Sequence, residues 1–149
     1  MQTFDMGRVP AATFGPGSIA QVPELVLGLG GGPVLVIADA AMAEFGVTDR
    51  LARSLAAQGI AHDTAAVIVG EPKEAVVDTL CERARGARTR CVVGLGGGAA
   101  MDAAKLVATI APSGQPARTF ALSAAPLPTD GLPSIAIPTT AGTGSEVTR

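Results

Sequence analysis

The stretch from Cys91 to Val107 constrains the fold more than any other part of the chain. It begins with a short apolar run, Cys91 to Leu95, that is typical of a buried strand, and it continues through three glycines, Gly96–Gly98. Apolar residues then recur at helical spacing, so the stretch predicts a strand, a glycine turn and a helix. Such a turn directs free backbone N–H groups and the positive end of the helix dipole toward one point, where a pyrophosphate is stabilised. A tight turn without a ligand is the alternative interpretation.

Strand-like and helix-like segments alternate along the rest of the chain. Further apolar runs that predict strands lie at Val34–Ala38, Ala65–Val69 and Ser134–Ile137. Helical patterns lie at residues 18–29, 47–58 and 73–87. Alternating strands and helices predict an α/β fold, with a parallel, Rossmann-like sheet that carries helices on both faces.

Segments outside these patterns have their own signals. Residues 1–13 are predicted to be extended, with a bend at Pro10, and Ser18 is a candidate N-cap for the first helix. The proline-rich segment 113–133 predicts a loop, with room for a short helix.

Composition excludes several classes of function. The chain has 149 residues, enough for one domain with a core, and a net charge of −2 without tryptophan or tyrosine, which argues against nucleic-acid binding. Cys81 and Cys91 lack metal-ligand spacing, so they are expected to be buried free thiols of a cytoplasmic protein. No secretory signal pattern or membrane-length apolar run occurs, so no membrane association is expected.

Two further motifs follow predicted strands. Asp39 comes directly after Val34–Ala38, and the Thr/Gly/Ser loop Pro138–Glu146 follows the last strand. Ligands of parallel sheets bind at the carboxyl ends of strands, where these motifs and the glycine turn would meet. A carboxylate there accepts hydrogen bonds from a ribose 2′-hydroxyl and repels a 2′-phosphate, although a helix N-cap is an equal alternative for Asp39. The loop hydroxyls suit a phosphate or an amide, and a solvated loop is the alternative.

Catalytic machinery is absent from the sequence pattern. Gly94, Gly96 and Ala99 formally match a dinucleotide fingerprint, but they follow the third apolar strand rather than the first, so this match alone is weak. The single histidine, His62, is interpreted as structural, and neither a catalytic triad nor a metal-ligand cluster is apparent. We therefore predict no catalytic residue and no metal ligand. The predicted cofactor-binding residues are Asp39, Gly96, Gly97, Gly98, Ala99, Asp102, Thr139, Thr140, Thr143 and Ser145.

Three segments resemble the iron-containing (group III) alcohol dehydrogenase family: Phe14–Ser18, Gly96–Lys105 and, most specifically, Ile137–Thr148. The resemblance implies the N-terminal fold shared with dehydroquinate synthase and an NAD(P)-dependent oxidoreductase. It also implies a helical C-terminal domain that supplies an Asp and three His ligands for Fe²⁺ or Zn²⁺. Two departures stand out. Ala99 replaces the family's usual serine, and Glu71–Ala75 replaces its usual Glu-Pro-Asn-Pro-Thr.

The resemblance leads to a specific expectation for the whole chain. Residues 1–149 would form an NAD-binding domain, which a helical metal-binding domain would follow. The full-length protein would interconvert small alcohols and aldehydes by hydride transfer, as a homodimer or larger homo-oligomer, and this segment alone would be inactive. The alternatives are a free-standing nucleotide-binding module without catalysis and an enzyme similar to maleylacetate reductase.

Overall fold

The computed structural model describes residues 11–121 and 125–148, in which strands and helices alternate. The predicted bend at Pro10 lies outside these residues. The strands are β1 (Val34–Asp39), β2 (His62–Ile68), β3 (Cys91–Gly96) and β4 (Ser134–Pro138). The α-helices are α1 (Val22–Gly28), α2 (Ala40–Glu44), α3 (Val47–Ala57), α4 (Glu74–Gly86) and α5 (Gly98–Ile110). Short 3-10 turns lie at Ser18–Gln21, Ala111–Ser113 and Ala117–Thr119.

The four strands form one parallel sheet in the order β2-β1-β3-β4. The chain therefore moves outward from β1 to β2, returns past β1 to β3, and ends on the opposite edge at β4. All strand carboxyl ends lie along the same edge of the sheet. This arrangement confirms the predicted α/β fold with a parallel, Rossmann-like sheet.

Helices cover both faces of the sheet because the central strands are apolar on both sides. Leu35 and Ile37 of β1 pack with α4 and α5 on one face. Val34 and Val36 pack with α1 and α3 on the other face. A strand that is buried on both faces reads as a continuous apolar run, which is why β1 and β3 were recognisable from sequence.

The first helix differs from its prediction. Ser18 is the first residue of a 3-10 turn whose N-cap is Gly17, with φ of 77° and no side-chain capping bond. The α-helix begins only at Val22, with Pro23 close behind. The prediction that Ser18 caps this helix is wrong, because the left-handed glycine before it starts the turn instead.

The two cysteines behave as predicted for free thiols. Cys81 on α4 and Cys91 on β3 are buried and unbridged. Burial raises the pKa of each thiol to about 11, because the thiolate would lose its hydration. Both side chains therefore act as small apolar core residues.

No helix within residues 11–121 and 125–148 is long and apolar enough to span a membrane.

Candidate active-site edge

The glycine turn joins β3 to α5 and places the helix N-terminus at the carboxyl edge of the sheet. Gly96 has φ of 147°, a conformation that residues with a side chain rarely adopt, and a Cβ there would overlap the carboxylate of Asp39. Gly97, the N-cap of α5, has φ of −77°, and its Cβ would meet no atom closer than 3.5 Å. Backbone geometry therefore requires glycine at position 96, whereas a Cβ at position 97 would make only ordinary van der Waals contacts.

Asp39 ends β1 and points at this turn. Its Oδ2 accepts a hydrogen bond from the backbone N–H of Gly97 at 2.6 Å. Asp39 also holds the N-cap position of α2, but its side chain makes no capping hydrogen bond to that helix. The carboxylate instead lies at the positive end of α5, where negative charge is favoured.

This contact occurs at the point where the sheet reverses its winding. β1 and β3 are neighbours in the sheet, yet β1 leads outward to β2 while β3 leads toward β4. The connections therefore leave β1 and β3 in opposite directions and open a crevice at their carboxyl ends. Such crevices are the usual ligand sites of open α/β sheets.

A loop of residues 139–148, here called the threonine loop, borders the glycine turn. At its start, the N–H of Thr139 donates to the carbonyl oxygen of Gly96 at 2.9 Å. Thr140 Oγ1 lies 3.5 Å from the place that a Cβ on Gly97 would occupy. Thr143 lies 3.2 Å from the equivalent place on Gly98. The structure thus brings the predicted glycines and exposed threonines together with Asp39 at one edge.

Asp102 and Ser145 lie close to this edge, where their side chains are hydrogen-bonded to each other. Ser145 is 7% exposed, and its Oγ donates to Asp102 Oδ2 at 3.2 Å. Asp102 also pairs with Lys105, whose Nζ lies 2.9 Å from Asp102 Oδ1. Lys105 was not among the predicted site residues, although its spacing of three residues from Asp102 on a helix is a signal for such a pair.

Ala99 lies in the first turn of α5 and is half-buried. Its methyl group packs against the core cluster under α4 and α5. The residue therefore adds apolar contact where the resembling family usually has a hydroxyl, while its backbone N–H remains part of the helix N-terminus.

The part of the chain that the structure describes contains no candidate metal centre. Within residues 11–121 and 125–148, no group of three or more His, Cys, Asp or Glu side chains could hold an ion. His62 lies on β2, with Nδ1 3.1 Å from the carbonyl oxygen of Ile60.

Comparison with known proteins shows which enzymes the chain resembles in sequence and fold. The chain is 36% identical over 142 residues to long-chain-alcohol dehydrogenase 1 of Geobacillus thermodenitrificans, covering 94% of this chain and 36% of that protein. The solved structure of sulfoacetaldehyde reductase from Bifidobacterium kashiwanohense in complex with NAD⁺ matches with a TM-score of 0.90 and 28% identity, over 99% of this chain and 39% of that one. NADH-dependent butanol dehydrogenase A from Thermotoga maritima matches with a TM-score of 0.91 and 26% identity, over 99% of this chain and 37% of that one.

The chain thus spans a little over a third of the length of these proteins. The family model for iron-containing alcohol dehydrogenases matches residues 10–149. The match includes the glycine turn, Asp39 and the threonine loop. The chain therefore belongs to the iron-containing alcohol dehydrogenase family.

Proposed function

We propose that this chain is the NAD-binding domain of a metal-dependent alcohol dehydrogenase, with residues 1–149 forming that domain. The observation that carries the proposal is the meeting of Asp39 with the N-terminus of α5 at 2.6 Å, in the crevice where the sheet reverses its winding. An anion-binding helix end beside a carboxylate matches the two polar parts of a dinucleotide, its pyrophosphate and its ribose hydroxyls.

The glycine turn supplies the phosphate side of this site. The first N–H groups of an α-helix have no acceptor within the helix, so those of Gly98 and Ala99 can donate to phosphate oxygens. Because Gly97 has no side chain, a phosphate can approach its backbone closely. The exposed hydroxyls of Thr140 and Thr143 can add donors from the threonine loop.

Asp39 supplies the ribose side. A carboxylate has two acceptor oxygens, so Oδ2 can keep the N–H of Gly97 while Oδ1 accepts from a ribose 2′-hydroxyl. A 2′-phosphate would bring like charge against Asp39, which disfavours NADP. The hydrogen bond to Gly97 also orients the carboxylate before the cofactor arrives.

The chemistry of the whole protein is inferred from its relatives. The nicotinamide ring carries the hydride when the cofactor is bound, and the substrates would be small alcohols and aldehydes, the class to which butanol and sulfoacetaldehyde, the substrates named for two of the relatives, belong. The resemblance implies Fe²⁺ or Zn²⁺ as the metal ion. The ligands of that ion would come from a helical domain outside these residues. This chain by itself is therefore expected to bind cofactor without turnover.

Location and assembly belong to the same proposal. The buried, unbridged cysteines suit a reducing compartment and support a cytoplasmic location. A homodimer or larger homo-oligomer stays a prediction from the resemblance.

Calorimetric titration of the chain with NAD and with NADP tests the proposal. We expect the wild-type chain to bind NAD at least about tenfold more tightly than NADP, a difference of roughly 1.4 kcal/mol. Asp39→Gly should narrow this preference, because it removes the repulsion between the carboxylate and the 2′-phosphate of NADP. The matched control is Asp130→Gly, which removes the same charge from an exposed loop before β4, away from the carboxyl edge. An unchanged NAD/NADP ratio in Asp39→Gly would contradict the role of Asp39, and no binding of either dinucleotide would contradict the proposal.

A further inference from the structure

We propose that Lys105 is a positioning residue that fastens the threonine loop against the glycine turn. Lys105 lies on α5, about two turns beyond the helix end that faces the crevice. The effect of Lys105 on dinucleotide binding rests on the function proposed above. The hold of Lys105 on the threonine loop does not depend on that function.

The threonine loop needs an attachment beyond its first residue. Its residues form no helix or strand, and Gly142 and Gly144 adopt left-handed φ angles of 106° and 71°. The pairing of Thr139 with Gly96 continues the sheet and fixes only the start of the loop. A segment with few regular backbone bonds opens readily unless side chains tie it down, so the far end depends on other contacts.

Lys105 supplies those contacts. Its Nζ donates to the carbonyl oxygen of Ser145 at 2.9 Å and to Thr148 Oγ1 at 2.7 Å. The carbonyl oxygen of Thr148 lies 3.4 Å away, and Asp102 Oδ1 lies at 2.9 Å. The Lys105 side chain is only 22% exposed, so its ammonium is largely committed to these acceptors.

The contacts continue from the end of the loop to the glycine turn. Asp102 accepts from Ser145 Oγ at 3.2 Å, and Ser145 N–H donates to Thr143 Oγ1 at 3.3 Å. Thr143 in turn packs beside Gly98 at the start of α5. A connected set of hydrogen bonds thus runs from Lys105 to the residue that borders the crevice, and removing one member weakens the others.

If Lys105 only stabilised helix α5, its main contacts would lie within that helix. The ion pair between Lys105 and Asp102 within α5 contributes little to stability, because the Asp102 side chain is 56% exposed and solvent screens its charge. The contacts to Ser145 and Thr148 cross 40 and 43 residues of sequence and act on the loop alone. Loss of Lys105 should therefore loosen the loop, while the amides of α5 keep their protection against hydrogen exchange.

Amide hydrogen exchange of the cofactor-free chain tests the hold on the loop. In Lys105→Met, which removes the charge and leaves most of the apolar stem, we expect amides of residues 143–148 to exchange about tenfold faster. Thr148→Val removes one acceptor of the same ammonium and should give a smaller increase in the same residues. Arg53→Met, which removes a positive charge from an exposed position on α3, should leave loop exchange unchanged.

Titration with NAD then tests the consequence for the site. We expect Lys105→Met to weaken NAD affinity about fivefold or more, and the effects of Lys105→Met and Thr148→Val to be less than additive because they share one contact. Unchanged loop exchange in both variants overturns the hold of Lys105 on the loop, and faster loop exchange with unaltered NAD affinity overturns its positioning role in dinucleotide binding. If the wild-type chain binds no NAD, the proposed function fails, and the exchange result alone decides whether Lys105 holds the loop.

Discussion

At the scale of single residues, the carboxyl edge depends on contacts between positions far apart in sequence. The chain pattern placed Asp39 after a strand and the glycines after another, which predicted that they share an edge. It could not predict the hydrogen bond from Gly97 to Asp39, because that contact joins residues 58 apart and requires β1 and β3 to be neighbours. From the sequence alone, Asp39 could therefore be either a ribose-facing carboxylate or a helix N-cap. In the structure, its side chain makes no capping hydrogen bond to α2.

The glycines of the turn are expected to differ in their tolerance of a side chain. Gly96→Ala should lower the free energy of unfolding by about 1–3 kcal/mol, because φ of 147° disfavours a side chain and the new Cβ would press on the Asp39 carboxylate. Gly97→Ala is the matched control and should be close to neutral for folding, since its Cβ meets only ordinary contacts. Urea denaturation measures both. A Gly96→Ala variant as stable as wild type would contradict this account of the turn.

At the scale of elements, continuous apolar runs were predictable and short or polar elements were not. β1 and β3 are buried on both faces, so their sequences show the signal directly. β2 begins at His62, three residues before its predicted start, because His62, Asp63 and Thr64 pair with β1 from an edge position where polar residues remain accessible. Helix α2 is five residues long, too short to show a helical period, and was not predicted.

An ion pair between β2 and α4 gives a pH-dependent test at this scale. Arg83 Nη2 donates to Asp63 Oδ1 at 2.6 Å and to the carbonyl oxygen of Thr64 at 2.9 Å, and Arg83 Nε also contacts Asp63. The hydrogen bond from Arg83 is the main cause that lowers the pKa of Asp63 below its ordinary value. Because the pKa of Asp63 is lower in the folded state, the ion pair stabilises the fold at pH values above the unfolded-state pKa of about 3.9. This stabilisation is lost as the pH falls through the folded-state pKa.

We therefore expect Asp63→Asn to lower the free energy of unfolding at neutral pH but not in acid well below pH ~4. The side chains of Arg83 and Asp63 are 40% and 38% exposed, so solvent screening limits the neutral-pH loss to under about 1 kcal/mol. Denaturation of wild type and Asp63→Asn at both pH values measures it, with Asp130→Asn in an exposed loop as the control. An equal stability gap at both pH values would argue against the ion pair as its source.

At the scale of the whole molecule, three sequence motifs converge because parallel strands align their carboxyl ends. This made the fold and the position of the candidate site predictable from the chain alone. The path of the threonine loop was not predictable, since it depends on Lys105 and on two left-handed glycines rather than on a periodic pattern. No group of side chains that could hold a metal ion occurs within the described ranges 11–121 and 125–148.

The central claim is that a dinucleotide binds at the glycine turn between Asp39 and the threonine loop. Amide NMR spectra of the ¹⁵N-labelled chain, recorded during titration with NAD, test it most directly, because each backbone N–H reports its own surroundings. We predict the largest shifts at Gly97, Gly98 and Ala99, with smaller shifts at Thr140 and Thr143 and none at the amino ends of the strands. Shifts confined to another surface, such as the groove between α4 and Phe120, would contradict the claim.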